Sequence, residues 1–137
     1  MDSKDIRWIQ RFSNYKKALA KLTEAVNMDF DALSELEMEG VIQRFEYTYE
    51  LAWKTLQDFL RMHGYPDIKG PGAVLIQAIE SGYLLNGEGW KEMKASRELT
   101  SHTYDEVTAK HIARDTAGLY HALFIQLETR LEVERLK

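Results

Sequence analysis

The chain contains no cysteine, which excludes both a disulfide framework and a thiolate metal site. It has two prolines, Pro66 and Pro71, close together near the middle. Long uninterrupted helices are therefore permitted on either side. No apolar run approaches the ~20 residues of a membrane span, and no membrane partner is expected. The opening Met1-Asp2-Ser3-Lys4-Asp5 lacks the apolar stretch of a secretory signal, so a cytoplasmic location is expected. Nor is there an excess of cations. Lys and Arg number 18 against 22 Asp and Glu, a net charge of −4, which argues against bulk electrostatic capture of nucleic acid. DNA is not expected as a partner. Any RNA contact must come from a local basic cleft, and a basic partner surface is equally open.

What is present is helical pattern. Ala, Leu, Glu and Lys are plentiful and runs of β-branched residues are absent, so the chain reads as all-α. Its 137 residues suffice for one domain, 1–137, with a hydrophobic core. A first helix is expected over Lys4 to Val26, carrying Ile6, Ile9, Phe12, Tyr15 or Lys16, Leu19 and Leu22 at three- and four-residue steps. An acidic connection follows through Asp29, Asp31 and Glu35. A second helix should run from about Glu37 to Met62, with a stripe through Phe45, Tyr49, Ala52, Trp53, Leu56 and Phe59. His63-Gly64-Tyr65-Pro66 ends it, because glycine suits the left-handed cap and proline cannot continue. Pro71 is placed to start a short third helix to about Ser81. Gly82 to Gly89 is turn-rich, a fourth helix spans about Glu88 to Ser101, and a fifth about Tyr104 to Glu134. At 1.5 Å per residue the fifth would reach roughly 45 Å. Elements this long and one-sided should pack as an up-down antiparallel bundle of four to five helices.

Chemistry concentrates in Arg97-Glu98-Leu99-Thr100-Ser101-His102-Thr103-Tyr104. A fixed cation, a titratable imidazole and a modifiable phenol fall within one short run, a set suited to phosphodiester chemistry. On an unbroken helix Arg97 and His102 would diverge by about 140°. The sequence offers a break there, with Thr103 as N-cap and Glu106 three residues on in a capping box. His102 would then lie in a corner, free to turn back toward Arg97, beside a helix N-terminus that favours an anion. The plainer alternative is a surface arginine and a histidine that caps carbonyls.

Other signals read as scaffold. Glu46, Glu50, Lys54 and Asp58 recur at four-residue spacing and are expected as a solvated ladder of charges. Tyr47, Tyr49 and Trp53 are expected as core or interface aromatics. Arg44 is a weak candidate for lining a dimer groove. His63, His111 and His121 are scattered without metal-ligand spacing, so no metal and no cofactor are assigned. Gly70, Gly72 and Gly82 punctuate loops, with no strand before them to make a phosphate cradle.

The stretch Gln43-Arg44-Phe45-Glu46-Tyr47-Thr48-Tyr49-Glu50-Leu51-Ala52-Trp53-Lys54-Thr55-Leu56, followed by Arg97 through Tyr104, resembles the HEPN family. Within it the chain is most similar to the nucleotidyltransferase substrate-binding proteins, akin to HepT-type toxins. The resemblance covers nearly the whole chain. It implies a helical bundle that forms a homodimer, with the motifs of two copies meeting in a shared cleft, and a minimal nucleotidyltransferase as companion. It further implies metal-independent RNA cleavage, in which Arg97 holds the scissile phosphate and His102 acts as general base or acid. Tyr104 would be the residue silenced by AMP transfer. One departure stands out: Glu98 follows the arginine where many relatives carry Asn, Asp or His, and a carboxylate there opposes phosphate. Ser101, like Arg44 and Glu98, is a candidate for lining the cleft.

The resulting expectation is a HEPN-type partner of a minimal nucleotidyltransferase, acting as a metal-independent endoribonuclease in a two-component, toxin–antitoxin-like system. The alternative is a non-catalytic subunit that binds a nucleotide or the companion's substrate. A plain interaction scaffold is the third reading.

Overall fold

The computed structural model describes residues 3–102 and 105–137. Its elements are α1 (Ser3–Val26), α2 (Glu35–Met62), α3 (Pro71–Glu80), α4 (Gly87–Leu99), α5 (Glu106–Asp115) and α6 (His121–Arg135). A π-helical turn, Thr116–Tyr120, joins α5 to α6, so these two form one helical rod and the fold is an all-α bundle of five helical segments. Among the described residues no helix is long and apolar enough to cross a membrane.

The helices start and stop where their end groups are satisfied. At the head of α2, Ser34 and Glu37 form a reciprocal capping box, which places the start two residues before Glu37. At its tail, Gly64 takes φ 84°, and the Tyr65 N–H returns 3.1 Å to the Leu60 carbonyl. That closure needs a left-handed residue, which glycine supplies without a Cβ clash. Pro71 stands in the first turn of α3, where its missing N–H costs nothing.

α1 and α2 lie antiparallel. Arg11 meets Asp58 at one end of the pair, and Arg44 meets the Lys21 carbonyl at the other. The buried face of α1 is Trp8, Phe12, Tyr15, Leu19 and Leu22. This shifts the expected stripe: Ile6 is 42% exposed and Ile9 only partly buried, because the three- and four-residue steps from Trp8 track the 3.6-residue turn better. The α5–α6 rod closes the core through Phe124, whose ring meets Tyr15, Phe45 and Trp90. Each such buried side chain contributes about 1.5–3 kcal/mol. The Tyr15 hydroxyl donates 2.7 Å to the Phe124 carbonyl, so the buried phenol is satisfied.

The expected fifth helix is therefore interrupted. The π turn inserts an extra residue around Gly118, which re-phases the apolar stripe. It leaves Tyr120 buried, with its hydroxyl 2.6 Å from Ser96 Oγ and 3.2 Å from the Glu92 carbonyl. This ties α4 to the rod and sets the position of the α4 C-terminus, which carries the motif.

Candidate functional site

Arg97 lies in the last turn of α4 and is turned toward α2. Its Nη1 donates 2.8 Å to Thr100 Oγ1, and the same hydroxyl donates 2.7 Å to the Arg97 carbonyl. Nη1 lies 3.5 Å from a Glu46 carboxylate oxygen, and Nε lies 3.4 Å from one of Glu50. Glu50 is in turn held by the Trp53 indole, whose Nε1 donates 3.1 Å to it. Thr100, Glu46 and Glu50 thus aim the guanidinium. Both carboxylates stand beyond the 2.7–2.9 Å typical of a tight charge-assisted bond. Arg97 Nε is buried and makes no hydrogen bond among the described residues. The group is oriented but not saturated.

Glu46, Glu50, Lys54 and Asp58 do not form the solvated ladder that their spacing suggests. Glu46 and Glu50 are each about one-third exposed and serve Arg97. Asp58 is 2% exposed and receives Arg11 Nε at 2.7 Å further round α2, where α1 packs. Four-residue steps overshoot the helical turn by about 40° each, so a run of three steps moves roughly a third of the way round the helix. The signal that could have exposed this was Trp53, an indole three residues after Glu50.

Beyond Arg97, α4 tightens into a 3-10 turn, Thr100–His102. His102 is exposed at its end, and its carbonyl accepts the Asp105 N–H at 3.1 Å. The break expected in the sequence is present, but it is capped differently. Asp105 is the N-cap of α5, its carboxylate accepting the Val107 N–H at 3.0 Å and the Thr108 hydroxyl at 3.0 Å. A carboxylate one residue before Glu106 serves that role better than a hydroxyl further back. Thr103 and Tyr104 lie outside the described residues. A 3-10 turn advances about 120° per residue, so Arg97 and His102 leave the axis about half a turn apart. The guanidinium faces α2 while the imidazole is exposed.

The remaining candidates are placed as follows. The Glu98 carboxylate takes Lys94 Nζ at 2.6 Å. Ser101 is exposed and donates 3.3 Å to the Glu98 carbonyl. Arg44 points to the α1 side of α2, donating 2.7 Å to the Lys21 carbonyl and lying 3.7 Å from Glu24. Tyr49, fully buried behind Arg97, has its phenol pushed up well above its ordinary value by burial, with Glu50 and Glu98 adding to the effect. Among the described residues no group of three or more His, Cys, Asp or Glu is arranged to hold a metal ion.

Known proteins share this arrangement of segments. The family model described as "Nucleotidyltransferase substrate binding protein like" matches residues 10–133. The chain belongs to that family. The match runs from α1 through α6 and so includes both the Glu46–Glu50–Trp53 face and the Arg97–His102 turn. A curated relative, the "Probable ribonuclease HepT" of Haemophilus influenzae, is 31% identical over 80 residues, 51% of this chain and 51% of the relative. The chain thus aligns with about half the length of that protein. A Thermus thermophilus protein of known crystal structure superposes with TM-score 0.78 at 37% identity, over 85% of this chain and 98% of that one. A Haemophilus influenzae structure, described as the fold of a substrate binding domain of a nucleotidyltransferase, superposes with TM-score 0.59 at 21% identity, over 93% of this chain and 98% of that one. The last likeness establishes a shared fold.

Proposed function

We propose that this family member works with a minimal nucleotidyltransferase as its substrate-binding partner, and that its active form cleaves RNA without a metal at the Arg97–His102 turn. The observation that carries the reading is the arginine itself, a guanidinium aimed by Thr100, Glu46 and Glu50 but left with an Nε that makes no hydrogen bond among the described residues, five residues before an exposed imidazole.

The chemistry follows from those two groups. A ribose 2′-hydroxyl attacks the adjacent phosphorus, and neutral His102 accepts its proton. The P–O5′ bond breaks, and the departing oxygen takes a proton from the imidazolium of a second copy. Arg97 balances the charge that develops on the phosphoryl oxygens. The products are a 2′,3′-cyclic phosphate and a 5′-hydroxyl. Because the two groups of one chain face different ways, the reading requires a homodimer in which Arg97 of one copy and His102 of another share a cleft. Silencing would proceed by attack of the Tyr104 phenol oxygen on the α-phosphorus of ATP, with loss of the phenolic proton and departure of pyrophosphate.

A second reading has its own support. Two carboxylates face the one guanidinium, and Glu98 follows it. That balance weakens stabilisation of the extra negative charge that develops in a dianionic transition state, which cleavage needs and nucleotide binding does not, and so favours a non-catalytic nucleotide-binding subunit. Incubating purified protein with RNA in EDTA, beside His102→Ala, separates the two. Cleavage by the wild type alone supports the ribonuclease. No cleavage by either, with calorimetric binding of ATP lost in Arg97→Ala, supports the binding subunit.

A further inference from the structure

The acidic net charge of the chain conceals one basic face. Along α1, Arg7, Arg11, Lys17 and Lys21 fall on the side that meets α2, and Arg44 of α2 joins them. Three hollows of about 290, 590 and 440 Å³ run along this seam. The first two share Asn14 and Leu51, and the last two share Lys21 and Tyr47, so they form one continuous groove. From Arg7 to Lys21 it extends about 21 Å at 1.5 Å per residue.

Its walls carry no acidic side chain among the described residues. Asp58 lies buried beneath Arg11, and Glu24, 3.7 Å from Arg44, is 75% exposed at the far rim. Arg7, Lys17 and Lys21 make no ion pair among the described residues. Three cations are therefore uncommitted and two are partly so. The floor supplies something different. Tyr47 is 42% exposed between Lys21 and Arg44, an aromatic face left open to solvent. Gln10, Asn14 and Gln43 offer side-chain amides along the same line.

We propose that this groove is a track for single-stranded RNA. The inference rests on the RNA-handling reading above and adds a binding surface on the face of α2 next to the one that meets Arg97. Cations in pairs about 6 Å apart, Arg7 with Arg11 and Lys17 with Lys21, suit a repeating phosphate backbone. An exposed ring beside them suits base stacking, which tolerates any sequence, and amides can reach sugars and base edges. An acidic protein segment would use the cations but not the open ring.

The test is fluorescence polarisation of labelled polyuridine with the full chain across a salt series. Three to five phosphate contacts on a single strand predict that log K falls with log salt at a slope of about −2 to −3.5. Each contact is worth roughly 5-fold near 0.1 M salt, so Lys17→Ala with Lys21→Ala should weaken binding roughly 25-fold and flatten the slope by about 1.4. Both sites are exposed on a helix, where alanine preserves the fold. Tyr47→Ala should cost at least about 5-fold with the slope unchanged. Lys91→Ala with Lys110→Ala, cations on α4 and α5, should bind like wild type. Three results would overturn the assignment: the Lys17/Lys21 variant binding as wild type does, polyglutamate competing as well as RNA at equal charge, or Lys17→Glu with Lys21→Glu turning a dimer into a monomer. Failure here leaves the site reading intact if His102→Ala still abolishes cleavage. Failure of cleavage leaves the groove intact if polyuridine binding follows the predicted slope.

Discussion

Glu50→Gln is the sharpest probe of Arg97, because it removes one negative charge from beside the guanidinium without changing shape. A phosphate held by the same guanidinium would lie about 6 Å from the Glu50 carboxylate. Their repulsion is about 0.7 kcal/mol in bulk water and about 2.8 kcal/mol at an effective dielectric of 20. Arg97 and Glu50 are 33% and 35% exposed, so the value belongs nearer the aqueous limit, about 1 kcal/mol. Nucleotide affinity should therefore rise about 5-fold. Stability should move the other way. The 3.4 Å ion pair is lost while the Trp53 indole keeps an acceptor, so unfolding in urea should become easier by about 0.5 kcal/mol. Calorimetry with AMP or pyrophosphate and a urea titration on the same preparation give both signs. Unchanged or weakened anion affinity in a folded Glu50→Gln protein would show that Arg97 is a structural tie to α2 and not an anion site.

Further expectations concern the scaffold. Phe124→Ala removes a ring packed against Tyr15, Phe45 and Trp90 and should cost about 3–5 kcal/mol in a denaturant titration. Arg11→Ala leaves the buried Asp58 carboxylate with Arg61, at 3.7 Å, as its one cation among the described residues. It should cost about 3 kcal/mol, whereas Asp58→Asn with Arg11→Met together should recover much of that loss. His121 is held neutral, its pKa lowered by burial. The Thr23 hydroxyl donates 2.9 Å to the Leu19 carbonyl, leaving its oxygen to accept from His121 Nε2 at 2.8 Å. Below about pH 6.5 the unfolded chain takes up a proton that the folded chain resists, so stability should fall with pH there. Thermal melts from pH 7 to 5 should show that fall, and His121→Gln should flatten it.

Helix order was legible because each segment announces its own ends and face. Gly64, Pro71 and the core periodicity of α2 are local features, and the structure keeps them. The π turn was not legible. The stripe through Thr116, Tyr120, Leu123 and Phe124 looks continuous when the steps are read loosely, and only the Ser96–Tyr120 contact shows which phase holds. The Asp105 cap competed with a plausible Thr103 box, and choosing between them needs backbone geometry.

For the site, residue types were readable and partners were not. Arg97 and His102 stand out as chemistry in the sequence, and Glu98 as a doubt. That Glu98 is taken by Lys94, while Glu46 and Glu50 from the middle of α2 face Arg97, depends on how two distant helices are rotated against each other. The same rotation gathers the cations of α1 and Arg44 along one seam. By itself the sequence determined an all-helical chain, the Gly64 and Pro71 boundaries around its middle loop and a cation–imidazole motif at a helix end, because capping and periodicity act over a few residues. Only the tertiary structure decided which carboxylates attend Arg97, where the long final helix changes phase and which face is basic, because those follow from packing between segments dozens of residues apart.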